Sequence, residues 1–393
     1  MSDLFWPGDE RAGSTFDDES YVAALVAVEQ AWLEVLGRPA DLSGLVVADD
    51  LSGPAGLAAR AEAGGNPVLG LVALLRERSG EPLVHRGLTS QDVVDTALVL
   101  MLRQAVGDVR ADVQRQVRSL AALVEAHRST RMSARTLGQP AVPTTFGLRA
   151  ATWLTGLLDA RDDLAALGFP VQLGGAAGTL AAVVELDLDP AAARTRLAGS
   201  LGLDSSVPWH TTRRPLTRAG DAMVACHDAW GRIAGDVVTL SRPEIGELAE
   251  GAAGGSSTMP HKQNPVLSVL LRRAAITSPH LAATLHAAAA DQVDERAAGG
   301  WHAEWDTLRL LARRSVTAAS QATALLGGLR IDAARMQARH DEVVDDLLTE
   351  QRTMAGLVGR GPRPAYLGAS DAIIDEVLAR AADSPHAPSG RTP

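Results

Sequence analysis

The stretch LTRAGDAMVACHDAWGRIAGDVVTL, residues 216–240, decides the fold class. Leu216, Ala219, Met223, Cys226, Trp230, Ile233, Val237 and Leu240 recur at alternating spacings of three and four. That period is the apolar seam of a helix packed nearly parallel to others in a left-handed bundle, and 25 residues of it would span roughly 37 Å. Small residues at Gly220, Ala222, Ala229 and Ala234 flank the seam and let further helices approach on a second side. A helix apolar on two sides needs several neighbours, and association with other chains is one way to supply them.

The same reading extends outward. Long helical patterns cover about Gln91 to His127 and Val266 to Ala290, the latter with a kink expected at Pro279. No sustained alternation of apolar and polar residues marks a sheet, and aromatics make up only 3% of the chain. The expected class is all-α. Breaks fall at Gly53 to Pro67, Thr136 to Pro143, Gly174 to Gly178, Val207 to Pro215 and Gly251 to Pro265. They divide the chain into an N-terminal helical domain (1–89), a central long-helix bundle (90–327), a short C-terminal helical region (328–383) and a disordered tail (384–393).

Composition excludes several classes of function. With 393 residues the chain can bury a sizeable core, and its net charge of −10 without any basic run argues against nucleic acid as a partner. The one cysteine, Cys226, sits on the helical seam and allows no intrachain disulfide. The start MSDLFWPGDERAG lacks the basic and apolar regions of a secretory signal, and no apolar run reaches the roughly 20 residues of a membrane span. A soluble protein of a reducing cytoplasm is expected, with no membrane partner.

The loop GSSTMPHKQNP, Gly255 to Pro265, carries more chemistry than a linker needs. A serine hydroxyl can take a carbon-bound proton only where amide dipoles and a cation stabilise its alkoxide. Lys262 is placed in sequence to be that cation or to hold a substrate carboxylate. Pro265 suits the first turn of the next helix, whose N-terminal dipole also favours anions.

This loop resembles the signature of the fumarase/aspartase superfamily, Gly-Ser-Ser-x-Met-Pro-x-Lys-x-Asn-Pro, at every fixed position. LVHRGLTSQDVVDTAL (83–98) and RTLGQPAVPTTFG (135–147) are similar to two further regions of that superfamily. The resemblance implies that Ser256 transfers the proton, that Lys262 and Asn264 bind substrate, and that Thr89 and Ser90 hold a carboxylate. His85 and His210 are candidate catalytic residues, and Arg135 is a candidate substrate cation, as Arg213 and Arg296 are more weakly. It further implies a long-helix bundle with small helical N- and C-terminal domains, no cofactor, and a homotetramer whose active sites are shared between subunits. Within the superfamily the chain resembles the 3-carboxy-cis,cis-muconate cycloisomerases, on GNPVLGLV (65–72), HRGLTSQDVVDTALVL (85–100), LGGAAGTLAAV (173–183), PWHT (208–211) and ERAAGGWHAEWDTL (295–308).

Departures narrow the chemistry. Where adenylosuccinate lyases carry histidines this chain has Leu137 and Pro140, and the Asn66-Pro67 stretch stands where an earlier one falls. An amine or hydroxide leaving group needs an acid, whereas a carboxylate or nitrite leaves as a stable anion. The expected reaction is therefore lactonisation of a small polycarboxylate, 3-carboxy-cis,cis-muconate, by its own carboxylate in the breakdown of protocatechuate, and the alternative is a cofactor-free β-eliminating lyase of the same superfamily acting on a nitrosuccinate-type or adenylosuccinate-type substrate. His302 and Glu304, two residues apart between Trp301 and Trp305, are too few for a metal site. After about Gly328 the chain looks shorter than the superfamily's third helical domain.

Overall fold

The computed structural model describes residues 3–251, 254–255, 259 and 262–383. The chain is helical almost throughout. Helices α1 (Asp18–Val35), α2 (Leu57–Gly64) and α3 (Val68–Ser79) lead into the long α4 (Ser90–Ala126). A hairpin of β1 (Arg131–Thr136) and β2 (Gln139–Thr145) runs into α5 (Phe146–Ala165), followed by α6 (Ala181–Glu185) and α7 (Pro190–Leu201). The long helices α8 (Arg214–Leu240), α9 (Val266–Ala290) and α10 (Gly300–Gly328) come next, with Leu248–Ala249 (β3) pairing antiparallel to Arg330–Ile331 (β4). Helices α11 (Ala333–Asp341), α12 (Val344–Leu347), α13 (Thr349–Leu357) and α14 (Ser370–Ala382) complete the order.

Local chemistry sets the helix ends. Asp17 accepts a hydrogen bond from the Ser20 amide to open α1, Thr145 accepts from Leu148 to open α5, and Asp189 accepts from Ala192 ahead of Pro190 in α7. Helix α8 begins two residues before the predicted seam and ends on its last residue, and α9 has the predicted bounds with Pro279 inside it.

Two compact units emerge, each assembled from three separate segments. One comprises Met1–Asp108, Leu167–Met223 and Ser278–Thr317; the other comprises Val109–Ala166, Val224–Thr277 and Ala318–Pro393. The four long helices contribute residues to both.

In the first unit, Trp32 of α1 is the centre of a core with Val171, Leu173, Leu180, Val183 and Leu197. Its indole donates to the Arg86 carbonyl at 2.7 Å. Gly220 of α8 lies so close to α9 and α10 that a Cβ there would meet Leu285 Cδ1 at 3.0 Å and Leu311 Cδ2 at 3.6 Å. In the second unit a Cβ on Gly231 would sit 2.6 Å from that of Ala275 in α9. Gln116 of α4 donates to the Ala319 carbonyl of α10 and accepts from the Trp230 indole of α8.

The seam of α8 is therefore satisfied inside one chain. All eight of its residues are at most 2% exposed. This corrects the expectation that the seam supplies a surface for association, because the seam is already buried within a single chain.

The hairpin is the element that the 3.5-residue pattern does not announce. Its turn places Leu137 and Gly138 at φ of 48° and 82°, the double positive φ of a two-residue I′ turn. A two-stranded ribbon has only edges, so Pro140 and Pro143 remove no ladder donor that a third strand would need.

Candidate active site

The first unit brings His210, Thr89 and Arg296 into one hydrogen-bonded group. Thr89 precedes α4, and its hydroxyl accepts from Arg296 Nη2 at 2.6 Å. Arg296 Nε donates to Gln91 Oε1 at 3.3 Å, and Gln91 Nε2 donates to the His210 carbonyl at 2.9 Å. Among the described residues Arg296 has no ion pair; its guanidinium meets the neutral oxygens of Thr89 and Gln91 and lies 5.9 Å from the centre of the Trp301 ring.

A buried carboxylate holds this group in place. Asp92, fully buried in the first turn of α4, accepts from the amides of Thr89, Gly174 and Gly175 at 3.0, 2.8 and 3.0 Å, and from Gln172 Nε2 at 3.2 Å. Gln172 Oε1 in turn accepts from the Trp209 amide at 2.8 Å, one residue before His210. Burial pushes the Asp92 carboxyl up to about 6, although the four donors oppose the shift.

His210 is half-buried, and burial pulls its pKa below the usual histidine value. The nearby charges of Asp95 and Glu295 raise it and those of Arg213 and Arg296 lower it. Its Nδ1 is buried with no hydrogen-bond partner among the described residues. The ring lies over Gly178, where φ is +78° and a Cβ would fall 2.5 Å from His210 Cε1. Any other residue at 178 would expel the imidazole.

His85 stands apart from that group. Its backbone has a φ of 64°, and Nδ1 is 2.6 Å from Oε1 of Glu29, a fully buried carboxylate on α1. Ser90, the first residue of α4, is half-buried.

Arg213 is not available to a substrate. It is buried, with Nη1 and Nη2 on the Asp95 carboxylate at 2.6 and 2.9 Å and Nε and Nη2 on Glu304 at 3.0 and 2.6 Å. Trp301 Nε1 also donates to Asp95 at 2.9 Å. Glu304 is thereby committed to Arg213, while His302 Nε2 contacts the Gly65 carbonyl at 3.0 Å. No cluster of three metal-ligating side chains occurs among the described residues.

The second unit carries the other candidates. Arg135 of β1 makes a bidentate pair with the fully buried Glu247, Nη2 to Oε1 at 2.7 Å and Nη1 to Oε2 at 3.1 Å. As placed, its fork is occupied. Asn264 exchanges backbone hydrogen bonds with Gly254 at 2.9 and 3.0 Å, closing the two ends of the signature loop on each other. Lys262 is exposed between them, and the Ser256 assignment lies outside the described residues.

Glu250 corrects one expectation about this loop. Its carboxylate accepts from the Leu267 and Ser268 amides at 3.1 and 2.8 Å and from the Ser268 hydroxyl at 2.6 Å. Two of the α9 N-terminal donors expected to favour an anionic substrate are thus already taken by a protein carboxylate.

Glu29, Asp92, Gln91, Glu247 and Glu250 are the partners of candidate residues and of the α9 N-terminus that spacing alone did not reveal. Gln91 and Asp92 lie inside the quoted segment after Thr89 and Ser90. Glu29 is 56 positions from His85, and Glu247 is 112 from Arg135, so no local pattern links them.

A sequence profile of a lyase family matches residues 59–277, more than half of the chain. The chain belongs to the fumarase/aspartase superfamily. Among curated relatives, this superfamily member is 40% identical over 387 residues to a nitrosuccinate lyase of Streptomyces davaonensis, covering 91% of this chain and 81% of that one. It is 41% identical over 314 residues to a 3-carboxy-cis,cis-muconate cycloisomerase of Bradyrhizobium diazoefficiens, covering 77% and 69%. The solved 3-carboxy-cis,cis-muconate lactonizing enzyme of Pseudomonas putida superposes with a TM-score of 0.78 at 27% identity, over 94% of this chain and 96% of that one. A fumarate lyase from Mesorhizobium matches with the same TM-score at 28% identity, over 94% and 98%. The superfamily member is mostly helical, and no described helix is long and apolar enough to cross a membrane.

Proposed function

We propose that this enzyme is a cofactor-free β-eliminating lyase acting on a small dicarboxylate whose leaving group is a weak base, as nitrite is in a nitrosuccinate. A base takes the proton from the carbon next to one carboxylate, that carboxylate gathers the charge as an enediolate, and the bond to the leaving group breaks. Nitrite carries the electron pair away and a butenedioate remains. Ser256 is the proton-transferring residue in this reading. Lys262 and Asn264 hold the carboxylate on which charge develops, and Thr89, Ser90 and Arg296 hold the other. The absence of histidine at Leu137 and Pro140 suits a group that leaves without being protonated.

The observation that carries the choice of a dianion is the pairing of the arginines. Arg135 and Arg213 already face Glu247, Asp95 and Glu304, which leaves Lys262 and Arg296 as the candidate cations without an ion pair among the described residues. Two cations match two carboxylates, and a nitro group adds no charge. The wider extent of similarity to the nitrosuccinate lyase, 91% of the chain against 77%, supports the same reading.

A second reading is lactonisation of 3-carboxy-cis,cis-muconate, favoured by the likeness to the cycloisomerases in sequence and in solved structure. There the substrate's own carboxylate oxygen adds to a double bond and Ser256 delivers the proton to the adjacent carbon. The reaction also needs no acid for a leaving group, but its substrate is a trianion. Both readings include a homotetramer with sites shared between subunits.

Purified protein assayed on 2-nitrosuccinate, with nitrite read colorimetrically, and on 3-carboxymuconate, read by ultraviolet absorbance, separates the two. Nitrite release with no lactonisation is the expected result. Lactonisation with no nitrite release would reverse the order of the readings, and activity on neither would remove both.

A further inference from the structure

The second unit contains a cavity of about 270 Å³ that none of the proposed chemistry uses. Its walls are the start of β1 at Arg131, β2 at Pro143, the end of α11 at His340, and the stretch from Val344 to Leu367. Its lining includes Arg131, Arg352, Arg363 and His340 and no acidic residue, in a chain whose net charge is −10.

Acids close to these groups are already engaged: Asp341, whose charge acts on His340, accepts from Gln337 Nε2 at 2.7 Å. Asp345 is paired with Arg352 at 2.7 Å, and Glu350 accepts from the Tyr366 hydroxyl at 2.6 Å. The side chains of Arg131 and Arg363 make no ion pair among the described residues, and the Arg363 carbonyl is held by Gln351 Nε2 at 2.8 Å. His340 is 3% exposed, and its buried Nδ1 has no hydrogen-bond partner among the described residues. The remaining wall is apolar, from Pro143, Leu348, Pro364 and Leu367. A wall with unpaired guanidinium groups beside prolines and leucines fits a molecule that is charged at one end and oily at the other.

We infer that this cavity is a second binding site, separate from the polycarboxylate chemistry, for a small organic anion made of one carboxylate on an apolar body. The guanidinium groups of Arg131 and Arg363 face the carboxylate, and the proline and leucine side chains cover the body. The site lies against the strand that carries Arg135, four residues along from Arg131.

Calorimetric titration of the full chain with benzoate tests this. Saturable binding is expected, weakened at least about tenfold in the double variant Arg131→Gln/Arg363→Gln, since charge-assisted contacts are lost. Both side chains are exposed, so the fold does not depend on them. Ala365→Trp, which fills the cavity and leaves the charges in place, is expected to abolish benzoate binding. Lys262→Met is expected to leave it unchanged, which separates this cavity from the candidate active site. Benzyl alcohol, with the same ring and no charge, should not saturate, and inorganic phosphate should bind more weakly than benzoate. Absence of saturable benzoate binding, or equal binding by wild type and the double variant, overturns the site. Phosphate binding as tight as benzoate, or saturation by benzyl alcohol, overturns the assigned ligand class.

Discussion

Arg296 donates to the Thr89 hydroxyl at 2.6 Å, across 207 positions of sequence. The contact joins the residue just before α4 to the segment just before α10, and among the described residues it leaves a guanidinium beside a hydroxyl without an ion pair. Replacing Arg296 by Met should lower kcat/KM by roughly 10- to 150-fold, mainly through KM, because a charge-assisted contact to a carboxylate is worth about 1.5–3 kcal/mol. Arg296 is exposed, so the melting temperature should stay near wild type. Steady-state kinetics and a thermal scan check both, and unchanged kinetics would remove Arg296 from the site.

Asp92 should mark the pH dependence of stability. Its folded pKa is raised from 3.8 to about 6, so between those values the native state holds a proton that the unfolded chain has released. The resulting stabilisation is full below the unfolded value and is lost as pH rises through about 6. Between pH 5 and 7.5 wild type should lose about 1–2 kcal/mol relative to Asp92→Asn, which cannot titrate. Urea unfolding of both proteins at both pH values measures that difference. A constant difference would mean that the carboxyl is not raised.

Arg213 has a structural task, to compensate two buried carboxylates. Arg213→Met should destabilise the fold by about 3–5 kcal/mol, because Asp95 and Glu304 would be left buried without a partner. Arg213→Lys should recover part of that loss, since one ammonium cannot fork onto both acids. Denaturant melts of the two variants give the comparison, and a near-neutral Met variant would contradict the pairing.

Proton transfer by Ser256 and site-sharing between chains make a joint prediction. Ser256→Ala and Thr89→Ala should each be nearly inactive with melting temperatures close to wild type. Refolded together they should regain partial activity, because mixed tetramers would hold some sites with both intact residues. Differential tags establish whether mixed tetramers form. If they form and remain inactive, the shared-site proposal fails.

Removal of metal should change nothing. Glu304 is held by Arg213 and His302 by the Gly65 carbonyl. Exhaustive chelation is expected to leave turnover intact, whereas Lys262→Met should reduce it by orders of magnitude, the loss expected for a charge-stabilising group. Loss on chelation, restored by a divalent ion, would return both residues to candidacy as ligands.

Helix identity and length were legible in the sequence because the seam from Leu216 to Leu240 repeats a helical period over seven turns, and a pattern that long has one local solution. The signature loop was legible for a different reason: its residue types serve chemistry and have little use in packing. The hairpin from Arg131 to Thr145 was not, because its I′ turn holds Leu137 where asparagine or glycine would advertise it, and prolines interrupt its second strand. Which arginine remains free to meet a substrate was decided only by tertiary structure. Arg135, Arg213 and Arg296 are alike as letters, yet the fold sets Glu247 against the first, Asp95 and Glu304 against the second and, in place of an ion pair among the described residues, the neutral oxygens of Thr89 and Gln91 against the third. Those partners lie 91 to 207 positions away, and electrostatic pairing follows distance in space, which local sequence does not encode.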